Sequence, residues 1–144
     1  MEGARRKSSI RRTCFIFIEG EGNNAKIMIV DDYRSVRLLY REILSLMGHE
    51  IVAEAGNGYD ALASYFQCSP DLLIIEHHMK TMKGMDVVRE IKKRDRNAKI
   101  LMCVSNSKEI LAEASKLGVT DILTKPFSVD SFIHSVNKAL QSED

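Results

Sequence analysis

Five short β-rich runs alternate with five amphipathic segments, which predicts an α/β fold: a doubly wound five-stranded parallel sheet with helices on both faces. The runs are apolar almost throughout, as strands covered on both faces are. Their starts lie 24, 22, 27 and 22 residues apart, the length of one strand, one helix and two short loops rather than of a solenoid repeat. Short connections in such a chain require right-handed crossovers, and five strands then take the flavodoxin-like order 2-1-3-4-5.

The strand runs are Lys26–Val30, Glu50–Ala55, Leu72–Ile75, Lys99–Val104 and Asp121–Leu123. A helix is predicted from about Ser35 to Met47, with Val36, Leu39, Ile43 and Leu46 on its inward face. Leu62, Tyr65 and Phe66 mark a second helix after the turn Gly56-Asn57-Gly58. Met85, Val88 and Ile91 mark a third, and Ile110, Leu111 and Ala114 a fourth. Val129, Phe132, Ile133, Val136 and Leu140 form the last stripe. All five stripes are expected to pack the core.

The chemistry-bearing residues fall at the strand ends. Asp31 and Asp32 follow the first run, Glu76 the third, Ser105 the fourth and Lys125 the fifth. Ligands of an open α/β sheet bind outside the carboxyl ends of the strands, at the switch in strand order. The order 2-1-3-4-5 puts the first and third strands side by side, so Asp31, Asp32 and Glu76 converge. For Asp31 and Asp32 taken alone, an acidic helix N-cap is the simpler expectation, and both roles can coexist.

Composition narrows the classes. A net charge of +1 is too near neutral to draw nucleic acid by bulk attraction. No apolar stretch spans a bilayer, and Cys14–Ile18 is too short for the core of a secretory signal. Cys14, Cys68 and Cys103 have no CxxC spacing, which favours a reducing compartment and hence the cytoplasm. Residues 1–25 carry Arg5, Arg6, Lys7, Arg11 and Arg12 and stand outside the periodic pattern. They are expected to form a flexible or loosely packed basic extension, with Cys14–Ile18 packing over the domain or adding an edge strand. The folded domain is expected over residues 26–144.

Five motifs occur in order: Ile29-Val30-Asp31-Asp32; Gly56-Asn57-Gly58 with Ala61-Leu62; Pro70-Asp71-Leu72-Leu73-Ile74-Ile75; Met79 with Met82 and Gly84; and Lys125-Pro126-Phe127. Together they make the stretch from Lys26 to about Leu140 resemble the receiver domain of bacterial and archaeal response regulators. The resemblance implies a stand-alone signalling module of two-component phosphorelays, not an enzyme, partnered by a sensor histidine kinase or another signalling protein. It implies Mg²⁺ held by Asp31, Asp32, the third acid Glu76 and the backbone carbonyl of His78. It makes Ser105 the switch hydroxyl, Lys125 the phosphate-reading ammonium and Pro126 a candidate cis proline. Because the chain runs only to Asp144, output is expected through protein contact, at the face of the fourth helix, fifth strand and fifth helix.

One residue departs from the family pattern. Glu76 stands where the family carries its phosphoaccepting aspartate, and its extra methylene carries the carboxylate outward by about 1–1.5 Å. In-line attack tolerates little misplacement, about 1 Å costing on the order of a hundredfold. An atypical receiver, independent of phosphorylation and with Mg²⁺ binding weakened, is therefore expected. Lys80 and Lys83 stand where proline and an acid are common, and Ile122 where many receivers carry a switching aromatic. The alternatives are a conventional Mg²⁺-dependent phosphoacceptor using Glu76 or another residue, and a Mg²⁺-dependent small-molecule phosphotransferase or phosphatase. The latter lacks an evident further general acid. His77 and His78 are adjacent and point opposite ways on an extended segment, so one packed and one exposed ring are expected rather than a joint metal site.

Overall fold

The computed structural model describes residues 24–143. Its strands are β1 (Lys26–Val30), β2 (Glu50–Ala55), β3 (Leu72–Glu76), β4 (Ile100–Ser105) and β5 (Asp121–Lys125). The helices are α1 (Arg34–Leu46), α2 (Gly58–Cys68), α3 (Gly84–Arg94), α4 (Lys108–Lys116) and α5 (Val129–Gln141). All strand pairs are parallel and the order is β2-β1-β3-β4-β5, as the sequence predicts. The residues 1–25 extension and the Cys14–Ile18 run lie almost wholly outside the described residues.

Side-chain alternation along each strand divides the core into two layers. Ile27, Ile29, Leu72, Ile74 and Leu101 face α1 and α5, where Tyr40, Leu44, Phe132 and Val136 meet them. Met28, Val30, Leu73, Ile75 and Met102 face the opposite way, onto Tyr65, Met85, Val88, Ile91 and Ala114 of α2, α3 and α4. Fully burying one large apolar side chain contributes roughly 1.5–3 kcal/mol, so both layers must form for the sheet to persist.

Two expected helix faces need correction. On α1 the buried residues are Tyr40, Ile43 and Leu44, with Met47 just beyond, whereas Leu39 and Leu46 are exposed. The helix is rotated so that Tyr40 stacks on Phe132 of α5, with ring centroids 4.6 Å apart. Val129, assigned to the α5 stripe, is exposed on the first turn of that helix.

The caps follow local chemistry. Asn57, Ser107 and Ser128 accept from the backbone N–H groups of Asp60, Ile110 and Ser131 at the starts of α2, α4 and α5. The N-cap of α1 is Tyr33, which makes no side-chain cap bond, so neither Asp31 nor Asp32 caps that helix.

The start of β1 is pinned beside the end of α1. Ala25 N–H donates to His49 Nδ1 at 3.1 Å, and Glu50 N–H donates to the Ala25 carbonyl at 2.9 Å. Burial holds the His49 pKa below its ordinary 6.5, which keeps the ring neutral and able to accept. The unfolded chain then takes up a proton before the folded one. Stability should therefore fall as pH drops below about 6.5, and urea midpoints should fall less steeply with acidification in His49→Gln.

Candidate functional site

Asp31 and Asp32 leave β1 at the switch point, next to the end of β3. Val30 pairs with Ile75, Glu76 with Cys103 and Ser105 with Lys125, so the strand register alone brings the ends of four strands together. The sequence-predicted residues Asp32, Glu76, His78 and Lys125 line one cleft of about 350 Å³, together with Lys80 and Lys83. Ser105 joins through His78, whose Nε2 lies 3.0 Å from Ser105 Oγ.

The backbone of Asp31 is held from one side by Arg37, whose Nη1 donates to the Asp31 carbonyl at 2.6 Å. Its side chain is buried, and Oδ1 accepts from Tyr33 N–H at 2.8 Å. Burial pushes the Asp31 carboxyl above the usual aspartate range, a shift opposed by the Tyr33 N–H and by the Lys125 charge. Arg37 also lies near Glu54 of β2, its Nε 3.4 Å from Oε1. Sequence reasoning missed this buttress. Its signal was the charged Glu54 set between Ala53 and Ala55 inside β2.

Glu76 is only 3% exposed. Oε2 accepts from His78 N–H at 2.9 Å. Oε1 forms an ion pair with Lys125 Nζ across the sheet. The next peptide bond, Lys125-Pro126, is cis, as the sequence suggests. The ammonium that could meet an arriving anion is thus already in contact with a carboxylate of the same chain.

The loop after Glu76 folds back onto β3. Gly84 N–H donates to the His77 carbonyl at 2.8 Å, and Met85 N–H donates to His77 Nδ1 at 3.3 Å. His77 is buried and His78 exposed, as expected for adjacent residues on an extended segment. Burial, with the neighbouring His78 and Lys83 charges, lowers the His77 pKa and suits a neutral ring that accepts. Gly84 is required by close approach: a Cβ there would collide with the Glu76 carbonyl oxygen and lie 2.7 Å from His77 Cα. Gly84→Ala should cost about 1–2 kcal/mol in urea unfolding, because the atoms that must yield are backbone.

The donor set bears on a divalent cation. Asp32 Oδ1 is buried and takes no hydrogen bond from any described residue, an orphan that a hard cation would satisfy. Glu76 Oε1 is likewise buried and takes no hydrogen bond from any described residue, although the Lys125 ammonium meets it as an ion pair. Among the described residues no group of three or more His, Cys, Asp or Glu side chains is drawn together as a metal cluster. The unbonded Asp32 oxygen fits a hydrated cation, while at Glu76 such a cation would meet the Lys125 ammonium already paired there.

Cys103 lies beneath the site, fully buried 4.0 Å from the Tyr40 hydroxyl, and burial pushes its thiol up to about 12. It is inert packing rather than a nucleophile. Ile122 packs with Ile110 and Leu111 against the α4 side of the core. Among the described residues no helix is long and apolar enough to cross a membrane.

Comparison with known proteins agrees with this geometry. Residues 27–137 match the family described as the response regulator receiver domain. The chain is 37% identical to the chemotaxis protein CheY of Bacillus subtilis over 116 residues, covering 80% of this chain and 97% of that protein. It is 30% identical to sporulation initiation phosphotransferase F of the same species over 118 residues, covering 81% and 94% respectively. A two-component response regulator of the LuxR family from Aurantimonas superposes with a TM-score of 0.76 at 27% identity, covering 82% of this chain and 86% of that one. The chain belongs to the receiver-domain family of two-component response regulators.

Proposed function

We propose that this receiver is atypical: its conformation is biased by the permanent charge of Glu76 and does not depend on phosphorylation at that position. The observation that carries the reading is the buried Glu76 carboxylate in ion pair with Lys125. A negative charge already sits where Lys125 would meet a phosphoryl oxygen. Ser105, the other reader, is engaged by His78.

Receiver domains work with kinases and downstream proteins as signalling modules. In this chain the output face is α4, β5 and α5. Ser107, the N-cap of α4, donates its N–H to the Ser105 carbonyl at 2.8 Å, and Lys125 leads through Pro126 and Phe127 into α5. A change at either reader is thereby tied to the start of a helix on that face. Asp31, Asp32 and the backbone carbonyl of His78 would hold Mg²⁺, which would supply charge neutralisation at the mouth of the cleft. Residues 26–144 form the receiver and residues 1–25 a basic extension. The free thiols of Cys68 and Cys103 support a cytoplasmic setting.

The test is to incubate the protein with Mg²⁺ and acetyl phosphate and weigh it intact. No covalent adduct is expected. A stoichiometric phosphoryl adduct mapped to Glu76 would show that Glu76 is a working acceptor and would overturn the proposal.

A further inference from the structure

Three side chains left without a task by the ion pair of Glu76 and Lys125 share one cleft. His78, Lys80 and Lys83 line it together with Asp32, Glu76 and Lys125. Lys125 is committed to Glu76, whereas Lys80 and Lys83 are exposed and, among the described residues, form no ion pair. The cleft therefore carries three ammonium groups against two carboxylates, a balance that favours an arriving anion.

An exposed loop histidine among lysines is ordinary when it is free to move. This one is held twice. Its backbone N–H donates to Glu76 Oε2 at 2.9 Å, and the loop closes where Gly84 N–H meets the His77 carbonyl. The ring is exposed, yet its Nε2 lies 3.0 Å from Ser105 Oγ. In the tautomer that donates Nε2–H to that hydroxyl, Nδ1 keeps its lone pair. Among the described residues Nδ1 has no hydrogen-bond partner. An oriented imidazole with one free nitrogen, beside unpaired ammonium groups, is arranged as a nucleophile toward phosphorus. It attacks without negative charge, so it escapes the repulsion that a carboxylate nucleophile needs a metal to offset.

We propose that His78 is a phosphoryl-accepting site, served by Lys80 and Lys83 rather than by a metal, for donors that carry their phosphoryl group on nitrogen. Nδ1 forms the new phosphorus–nitrogen bond, and the donor's own phosphorus–nitrogen bond breaks with its electron pair leaving on ammonia. The proton that the ring then releases ends on that ammonia. The departing group is neutral, whereas acetyl phosphate would expel an anion against Asp32 and Glu76. The inference does not depend on the role of Glu76.

The full chain is incubated with potassium phosphoramidate at mildly alkaline pH in excess chelator, and adducts are mapped by peptide mass. His134, exposed on α5 and outside the cleft, is the internal standard. His78 is expected to label roughly tenfold faster than His134 or more, since fixed cations act on the charge of the transferring group. Ser105→Ala should lower that ratio several-fold by freeing the ring. Lys80→Ala with Lys83→Ala should bring it near one while far-ultraviolet circular dichroism is unchanged. Lys80→Arg with Lys83→Arg, which keeps both charges, should retain most of it. Equal rates in the unsubstituted protein, or a ratio unmoved by loss of both lysines, would overturn the proposal and leave the reading of Glu76 standing. An adduct on Glu76 with His78 bare would overturn both.

Discussion

Glu76→Asp is expected to take up one phosphoryl group from acetyl phosphate in the presence of Mg²⁺, where the unsubstituted protein takes up none. Shortening the side chain by one methylene draws the carboxylate back by about 1–1.5 Å. That withdrawal separates it from Lys125 Nζ and frees the ammonium to meet a phosphoryl oxygen. It also restores room in a cleft of about 350 Å³ that Asp32, Lys80, Lys83 and Lys125 already line. A carboxylate oxygen then forms the new P–O bond while acetate leaves with the electrons of the old one. Positional errors of about 1 Å cost on the order of a hundredfold in such transfers, so the gain should be visible on the minute scale. The adduct should be lost when Asp32→Ala is added, because that acid carries the unsatisfied oxygen suited to the cation. If Glu76→Asp stays unlabelled although it folds and binds Mg²⁺, obstruction by the longer side chain is not what silences the site.

What the sequence made legible, and what it did not, has a physical pattern. The limits of β1 and β2 were readable to the residue because an apolar run between polar neighbours is a local signal. The convergence of Asp31, Asp32 and Glu76 was readable because parallel order puts strand ends on one rim. The inward face of α1 was not. Apolar residues occupy positions 36, 38, 39, 40, 43, 44, 46 and 47, more than one stripe can hold, so periodicity alone could not choose between overlapping faces. The choice is made by Phe132 of α5, nearly a hundred residues away, on which Tyr40 stacks. The contact between His78 and Ser105 was hidden for a similar reason: it spans 27 residues and depends on the register of β3 against β4. Sequence reasoning assigned His78 a backbone role only, whereas its ring also engages the switch hydroxyl.

Removing Lys125 should destabilise the protein more than removing both members of its ion pair. Glu76 is 3% exposed, so Lys125→Met leaves a carboxylate with little water and only the His78 N–H to solvate it. Breaking a fully buried pair costs about 3–5 kcal/mol. Lys125 itself is 42% exposed, which screens the pair, and the expected loss is discounted to about 2–3 kcal/mol. In the double variant Glu76→Met with Lys125→Met, two apolar side chains replace the pair, and most of that loss should return. Urea unfolding of the four proteins forms a double-mutant cycle, with a coupling of at least about 1 kcal/mol expected. The same cycle separates two roles for Glu76. If Glu76 biases the receiver through its charge on Lys125, each single variant should alter amide exchange in the segments after Ser105 and Lys125 that lead into α4 and α5. If the pair is only structural, stability will change while exchange at those helix starts follows global unfolding alone. A coupling near zero would mean that Glu76 and Lys125 do not act on each other in solution, and the built-in charge would have no reader.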